Sequence, residues 1–293
     1  MKYRFMKENR KKYPMWIMCK ILEVSRAGFY HWSKRKPCSR HLEDQKLLEI
    51  IKYHYNRSRG TYGLPRIYAA IKKEGLKVNK KKIARLMKLN KIKAKTKRKF
   101  KVTTVQNTKA RASENILKGS FESKTENRIW TSDITYLWTQ EGWLYLAVIM
   151  DIYSRKIVGW SLSSSLSAKL VIKALWMAIL HRNPKQGIVL HSDRGSQYTS
   201  STVRELLKSY KITQSMSSSG NCYDNAITES FFHSLKTELI YWNSYQTREQ
   251  AKRSIFEYIE IFYNRQRLHS ALNYLSPVEF ELINRKELIE KVA

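Results

Sequence analysis

The segment IWTSDITYLW at residues 129–138 is the first of three consecutive stretches that predict β-strands. The next two are WLYLAVIMDIY at 143–153 and KIVGWSLS at 156–163, and all three are rich in β-branched and aromatic residues. Because only short turns separate them, we expect the three strands to pair antiparallel with one another in chain order.

Beyond these strands the pattern alternates between helix and strand. It predicts a helix, a strand, a helix, a strand and two further helices, at residues 167–182, 187–192, 199–210, 211–216, 224–242 and 247–267. An order of three strands followed by alternating helices and strands indicates parallel as well as antiparallel pairing. The sequence therefore predicts an α/β fold, a mixed sheet with helices on its faces.

The residues that precede this sheet carry most of the positive charge. The chain has 56 Lys and Arg against 24 Asp and Glu, a net charge of +32. Residues 1–111 hold a net charge of +28, and residues 112–293 only +4. A surplus of this size in one region is typical of a protein that binds nucleic acid, so we expect the first region to bind phosphates.

Helical patterns fill the basic region. Residues 14–32 predict two short helices that resemble a helix-turn-helix unit, with Ser25 as the cap of the second. Residues 42–58 predict another helix, and residues 60–92 predict two more, with Gly75 ending the first and Asn79 capping the second. Either pair of short helices, 14–32 or 60–92, is a candidate to read DNA bases.

Four basic residues crowd the start of the last of these helices: Lys80, Lys81, Lys82 and Arg85. Positive charge at a helix N-terminus opposes the helix dipole, so these residues do not serve the stability of the helix. We expect them to bind DNA phosphates.

These patterns divide the chain into four predicted segments. They are a basic helical region at 1–92, a basic linker at 93–125, a catalytic core at 126–242 and a helical extension at 243–293. The three cysteines lack the spacing of a disulfide framework or a zinc site. The charged N-terminus does not resemble a signal peptide, and no apolar run is long enough for a bilayer. We expect a soluble cytoplasmic protein that does not enter a membrane.

Three acidic residues are candidates for one catalytic site. Asp133 lies inside the first predicted strand, where Asp is disfavoured, and Asp193 directly follows the fourth. If the first and fourth strands are neighbours, these two carboxylates lie side by side, and Glu229 on the helix after the fifth strand can face them. Converging carboxylates repel each other unless a cation binds between them, and Mg²⁺ prefers such oxygen ligands. Two such ions suit phosphodiester chemistry.

Each acid also has a purely structural interpretation. A single Asp after a strand is usually a turn or cap residue. Asp151, at the predicted turn of a hairpin, fits that role better than a catalytic one. His191 suits Mg²⁺ poorly, so we expect it to form hydrogen bonds.

Four motifs carry a family resemblance: WTSDITY, HSDRGSQYTS, SSSGNCYDNAITESFFHSLKTEL and YNRQRLHSALNYLSP. The chain resembles the insertion-sequence DDE transposases that are related to retroviral integrases. More narrowly, it is similar to the second-reading-frame (OrfB) product of the bacterial family whose transposase is encoded in two overlapping frames. The resemblance implies a ribonuclease-H-like fold and a metal-binding catalytic triad of Asp133, Asp193 and Glu229. The 35 residues between Asp193 and Glu229 match the spacing of that family.

The resemblance also implies further site residues and partners. Lys236 matches a basic position that contacts DNA near the active site. Arg265, Arg267 and His269, in the motif at 263–277, could contact DNA or brace the core, and Arg265 and Arg267 are our DNA-binding candidates there. The motif that binds zinc in retroviral integrases, His-His-Cys-Cys, is missing, which favours the bacterial branch.

The resulting hypothesis is a transposase that cleaves and joins DNA strands at the ends of a mobile element. Its expected cofactor is Mg²⁺, as two ions, with Mn²⁺ as a substitute. Its expected partners are double-stranded DNA, further copies of itself on that DNA, and the upstream-frame product, in the bacterial cytoplasm at the nucleoid. One alternative is a non-catalytic DNA-binding regulator or an inactivated transposase remnant. Another, a ribonuclease acting on hybrids, does not explain the basic helices.

Overall fold

The computed structural model describes residues 1–35, 38–95, 113, 123–184, 187–217 and 226–292. The chain forms two compact units, Met1–Lys52 and Tyr53–Ala293. This division differs from the four segments that the sequence predicts, and those segments stay a prediction.

The first unit is helical. Its helices are α1 Lys2–Glu8, α2 Met15–Ile21, α3 Arg26–Lys34 and the first part of α4 Ser39–Arg57. Met6, Met18 and Phe29 form its buried core. The Gly28 N–H donates to the Ser25 Oγ at 2.9 Å, which caps α3. The pair of helices predicted at 14–32 and the Ser25 cap are thus confirmed.

The second unit begins with the end of α4 and two amphipathic helices, α5 Leu64–Lys73 and α6 Lys80–Leu89. Gly75 follows α5 at φ +81°, a left-handed conformation that glycine adopts without strain. The Asn79 side chain caps α6, because its oxygen accepts the Lys81 N–H at 2.8 Å. Both predicted helix boundaries are confirmed.

A five-stranded mixed sheet follows, as the sequence predicts, and it has the ribonuclease-H-like arrangement that the family resemblance implies. Its strands are β1 Ile129–Thr139, β2 Gly142–Asp151, β3 Ile157–Ser163, β4 Val189–Ser192 and β5 Thr213–Met216. They lie in the order β3-β2-β1-β4-β5. The first three strands pair antiparallel, whereas β4 pairs parallel with both β1 and β5.

One face of the sheet is covered by α7 Ala168–Arg182, α8 Ser196–Thr199 and α9 Ser201–Ser209. Trp130, Val171 and Leu190 are fully buried in the core between these elements. Gly159 on β3 allows α7 to pack closely, since a Cβ at this position would lie 2.2 Å from the carbonyl oxygen of Ala174.

The remaining elements are α10 Ala226–Glu238, a 3₁₀ turn at Ile240–Trp242, α11 Arg248–Phe256, a π-helical segment at Glu257–Tyr263, a 3₁₀ turn at Ser270–Leu272 and α12 Pro277–Val292. The single helix predicted at 247–267 is therefore wrong in its last part. It changes to π-helical geometry and ends before Asn264. The Asn264 side chain accepts from the Ile157 N–H at 2.9 Å and donates to the Ile157 carbonyl at 3.0 Å. It thus provides hydrogen-bond partners for both backbone groups of Ile157 on the edge strand β3. The helical extension predicted at 243–293 contains α12, although no individual helix is predicted at 277–292.

The helices carry charged residues along their length. The 19-residue α4, for example, contains both Lys and Glu at several positions. Among the described residues, no helix combines the length and the apolar composition that crossing a membrane requires.

A buried ionic cluster joins α12 to the core. Arg182, at the end of α7, lies 3.6 Å from Asp151 and 3.3 Å from Glu126, and it forms a very close ion pair with Glu281 on α12. Glu281 also lies 3.0 Å from Lys156. The Arg182 and Lys156 charges hold the pKa of the Glu281 carboxyl below its usual value despite its burial.

Asp151 is a structural residue, as its position in the sequence predicts. It is fully buried, and its carboxylate accepts the Asn127 N–H at 2.8 Å and the Tyr153 N–H at 3.0 Å. Burial raises the pKa of this carboxyl to about 6, against the effect of these hydrogen bonds and of the Arg182 charge. Asp151 thus closes the turn between β2 and β3.

We predict that Arg182→Met lowers the free energy of unfolding by about 3–5 kcal/mol, because it leaves the buried Asp151 and Glu281 carboxylates without their main cation. Urea denaturation at neutral pH measures this loss. The control is Arg253→Met, which removes an exposed ion pair with Glu249 and should cost less than about 0.5 kcal/mol. Equal losses in the two variants would show that the cluster does not stabilise the fold.

Candidate active site

The parallel pairing of β1 with β4 sets the positions of two of the predicted acids. The pairing aligns Ile129 with Val189 and Thr131 with His191. The same register continued by two residues places Asp133 opposite Asp193, where β4 has just ended. The predicted neighbourhood of the first and fourth strands is confirmed.

The electrostatics of Asp133 show that the third acid lies near the first two. The pKa of the Asp133 carboxyl is raised to about 7, mainly by burial and then by the negative charges of Asp193 and Glu229. The Ile134 N–H, which donates to Asp133 at 2.7 Å, and the Lys236 charge act in the opposite direction. The charges of the two other predicted acids therefore both act on Asp133.

Asp193 is held in a tight turn. The Gly195 N–H donates to its Oδ1 at 3.0 Å, in the local geometry that Asp commonly adopts after a strand. Burial nevertheless raises the pKa of this carboxyl. The structural and the catalytic interpretations of Asp193 are thus compatible, because one oxygen anchors the turn.

Glu229 lies on α10, whose buried side includes Phe231, Phe232 and Leu235. The Thr228 hydroxyl, fully buried beside Glu229 in the chain, donates to the Thr131 hydroxyl of β1 at 2.7 Å. This bond fixes the start of α10 on the strand that carries Asp133. Glu229 itself is exposed. The first two residues of the helix predicted at 224–242 lie outside the described residues.

Lys236 lies two turns further along the same face of α10. Its Nζ is 5.6 Å from the centre of the Tyr136 ring. Burial lowers the pKa of its ammonium group, whereas the Asp133 charge raises it. The basic residue that the resemblance implied is therefore near the acids.

The donor set fits a hard divalent cation, although the side chains are not gathered into a coordination sphere. Within the described residues, no three Asp, Glu, His or Cys side chains lie close enough together to hold a metal ion. Among the described residues, neither Arg nor Lys forms an ion pair with Asp133, Asp193 or Glu229; their ion pairs are with other acids. The partly buried carboxyl groups of Asp133 and Asp193 have raised pKa values, and Glu229 lies close enough for its charge to act on Asp133. Such a set suits Mg²⁺, which neutralises carboxylates through oxygen ligands.

His191 has the hydrogen-bonding role that we expected. It is fully buried, and its Nδ1 lies 3.0 Å from the Ser215 hydroxyl and its Nε2 3.1 Å from the Ser217 hydroxyl. Both ring nitrogens are engaged, so His191 ties β4 to β5 and the segment after it.

The basic residues of α6 lie on the surface of the second unit. Lys80, Lys81 and Arg85 are exposed and Lys82 is half-buried, while Ile83, Leu86 and Met87 form the buried side of the helix. The placement predicted for them, at the start and along one side of a helix, is confirmed; their binding to DNA stays a prediction.

The motif at 263–277 separates into exposed and buried members. Arg265 is exposed. Arg267 is buried, and it donates to Glu238 at 2.6 Å and 2.9 Å and to the Ser234 hydroxyl at 3.1 Å. His269 is buried as well, and burial lowers its pKa to about 2. Of the two roles left open for Arg267 and His269, this geometry favours bracing of the core, whereas Arg265 keeps an accessible guanidinium.

Sequence reasoning missed the residues that hold the acids in place. Ser132 donates to the Val148 carbonyl at 2.9 Å and lies 2.8 Å from the Tyr198 hydroxyl, and Thr131 binds Thr228. Thr is common in β-strands, so a hydroxyl side chain in a predicted strand does not indicate a special role. The sequence signal that could have identified them is the pair of consecutive hydroxyl residues, Thr131 and Ser132, immediately before Asp133.

Three family models match the chain. A model described as an integrase core domain matches residues 123–222, and a second model with the same description matches residues 229–284. A model described as an HTH-like domain matches residues 42–100. This last match covers α4 to α6, so it includes the later of the two segments that we considered as readers of bases.

The curated relatives are similar over nearly their whole length. Transposase InsF for insertion sequence IS3A, from Escherichia coli strain K12, is 39% identical over 283 residues, which cover 96% of this chain and 98% of the relative. A 31 kDa protein of insertion element IS600 from Shigella sonnei, described as uncharacterized, is 41% identical over 263 residues, covering 90% and 97% of the two chains.

Solved structures with a similar arrangement come from retroviral integrases. A chain of the simian T-cell lymphotropic virus intasome in complex with PP2A regulatory subunit B56 gamma has a TM-score of 0.47 at 16% identity, covering 60% of each chain. The HTLV-2 integrase catalytic core domain in complex with magnesium has a TM-score of 0.42 at 16% identity, covering 55% of this chain and 99% of that one.

We predict that the Thr131–Thr228 bond stabilises the docking of α10. Thr228→Val leaves the Thr131 hydroxyl buried without this partner and should lower the free energy of unfolding by about 1–3 kcal/mol. The double variant Thr131→Val/Thr228→Val should lose less than the sum of the two single variants, because neither hydroxyl remains. Urea denaturation gives all three values.

The control for this cycle is Thr202→Val, at an exposed position of α9, which should change stability by less than about 0.5 kcal/mol. Additive losses in the double variant would contradict the coupling.

Proposed function

This chain belongs to the IS3 family of insertion-sequence transposases, and we propose that Asp133, Asp193 and Glu229 are the carboxylates with which it cleaves and joins DNA. The observation that carries the assignment is the effect of the Asp193 and Glu229 charges on Asp133, in a site where Arg and Lys form no ion pair with the three acids among the described residues. A transposase has to cleave one phosphodiester bond and form another, and both steps place negative charge at the reacting phosphate.

The acidic residues and Lys236 would have different roles in this reaction. Asp133 and Asp193 would hold divalent cations at the ends of neighbouring strands, and Glu229 would complete the ligand set from α10. When bound, two Mg²⁺ ions activate the attacking oxygen and stabilise the leaving oxygen, and Mn²⁺ can substitute for them. Lys236 lies on the face of α10 that carries Glu229, and its ammonium group suits a phosphate beside the one that reacts.

The same geometry separates the transposase from the alternatives. A regulator or an inactivated remnant would use the basic helices without the acids, and nothing in its function would keep three carboxylates in mutual repulsion. A ribonuclease would need the acids without the HTH-like region. The presence of both in one chain supports a DNA transposase.

We predict that Asp193→Asn abolishes DNA cleavage and strand transfer while leaving DNA affinity within about twofold. The substitution removes one carboxylate charge from the metal site, whose ions supply several kcal/mol, so rates should fall at least about 1,000-fold. A Mg²⁺-dependent assay on DNA from the ends of the element measures both steps.

Glu205→Gln, at an exposed carboxylate on α9, is the matched control and should retain full activity. Strand transfer at the normal rate by Asp193→Asn would refute the assignment of this residue.

We also propose that the N-terminal end of α6 binds the DNA backbone. Lys80→Ala/Lys81→Ala should lower the slope of log affinity against log salt concentration by about 0.9 for each phosphate contact that is lost. Stability should not fall, because the two charges oppose the helix dipole. Fluorescence anisotropy of labelled DNA at several salt concentrations gives the slope.

The matched control is Lys169→Ala/Lys208→Ala, two exposed lysines of the second unit, one of which also lies in the first turn of its helix. An unchanged slope in the α6 variant, or an equal change in the control, would contradict a specific role for α6.

Two further proposals concern partners. Joining both ends of an element requires two sets of active-site residues, so we propose that the chain works as a multimer on DNA. We also propose that it acts with the upstream-frame product, fused or associated, at the nucleoid in the bacterial cytoplasm, where its DNA substrate lies.

A further inference from the structure

The hairpin of β1 and β2 carries four aromatic side chains that we call the aromatic patch: Tyr136, Trp138, Trp143 and Tyr145. The strand register pairs Tyr136 with Tyr145 and Trp138 with Trp143, so all four lie on one face. Tyr136, Trp138 and Trp143 are 47%, 54% and 44% exposed. Exposed aromatic residues that cluster in this way commonly mark a binding surface.

The rings of the patch are held in a fixed arrangement. Trp143 contacts Tyr136 at 5.1 Å and Trp138 at 4.9 Å between ring centres, and both pairs are nearly perpendicular. Edge-to-face contacts of this kind are favourable and leave part of each ring face accessible. The patch therefore offers rigid aromatic surfaces to a flat ligand.

Cations flank the aromatic patch. Lys236 lies over the Tyr136 ring, at 5.6 Å from its centre. At the turn of the hairpin, the Arg248 Nε donates to the Trp143 carbonyl at 3.2 Å. The one carboxylate at this turn, Glu141, accepts the Arg248 backbone N–H at 2.8 Å. Aromatic faces between cations are complementary to a ligand that has both flat bases and phosphates.

Lys236 links the aromatic patch to the acid site. Tyr136 follows Asp133 by three residues, about 10 Å along β1, and the alternation of side chains along a strand places the two residues on opposite faces of the sheet. The Lys236 ammonium lies 5.6 Å from the centre of the Tyr136 ring, and its charge also acts on Asp133. Lys236 shares a face of α10 with Glu229.

We propose that the aromatic patch stacks unpaired bases of the DNA strand that occupies the acid site, with Lys236 and Arg248 beside its phosphates. This proposal rests on the proposed function and adds to it a site for single-stranded DNA. Stacking needs an unpaired base, because in a duplex the faces of the bases are covered by their neighbours. The patch thus favours a locally opened strand end over fully paired DNA.

The test compares the affinities of the full chain for two probes. One probe is single-stranded oligo(dA) that contains 2-aminopurine, and the other is the same strand annealed to oligo(dT). Both are titrated in an Asp193→Asn background so that the DNA is not consumed, and 2-aminopurine fluorescence also reports stacking directly.

Trp138→Ala and Trp143→Ala should each weaken binding of the single strand by about 5- to 150-fold, the range expected for one stacked base. They should change duplex affinity by less than about twofold. Trp138→Phe keeps an aromatic face and should retain most of the single-strand affinity. The control is Trp176→Ala, since Trp176 is also exposed but packs against Tyr210 on another part of the surface.

Two outcomes would overturn the proposal. In one, the alanine variants bind the single strand as tightly as the parent. In the other, they keep both DNA affinities but lose self-association in light scattering without DNA, which would identify the aromatic patch as a contact between copies of the chain. A cleavage assay with all tryptophans intact tests the proposed function separately, so failure of one can be told from failure of the other.

Discussion

The pairing of β1 with β4 is the constraint on which the candidate site depends. Parallel pairing in this register aligns Thr131 with His191 and so sets the two aspartates two residues beyond at the same edge of the sheet. Carboxylates brought together by backbone hydrogen bonds cannot move apart to relieve their repulsion. Burial is the largest cause of the raised pKa of Asp133 and the Asp193 charge adds to it, so a cation is the natural way to offset both.

Helix α10 has to be held against that repulsion, and the C-terminal part of the chain supplies the bracing. Arg267 binds Glu238 at the end of α10, and the Leu268 N–H donates to the Tyr62 hydroxyl at 2.8 Å. Asn264 covers the edge of β3. The motif at 263–277 is thereby explained mainly as a clamp on the catalytic core, although Arg265 remains exposed within it.

The fold could be predicted from the sequence because its strands alternate clearly and its helices have recognisable caps, such as Ser25 and Asn79. Local patterns also predicted that Asp151 closes a turn. They could not predict α12, whose docking depends on the buried pairing of Glu281 with Arg182, residues 99 positions apart. The site was predictable as a set of residue types, and the resemblance made the choice of three acids specific. The residues that hold the site in place were not predictable. Thr131 and Thr228 differ from other threonines only because they contact each other across 97 positions of the chain.

The carboxylates of the second unit that are shielded from water have two different kinds of partner, and this difference bears on function. Glu238 and Glu281 each lie against arginine, with further donors around them, so their charges are neutralised by the fold itself. Asp133 and Asp193 are also shielded from water, yet their described contacts are backbone N–H groups, with the Lys236 ammonium acting on Asp133 only as a minor opposing charge. Had stability alone shaped this edge of the sheet, an arginine within reach or an amide in place of one carboxylate would remove the strain at little cost. Within the described part of the chain, these charges stay without a cationic side-chain partner at the site that we propose for phosphodiester chemistry, where an external cation and a DNA phosphate can complete the neutralisation.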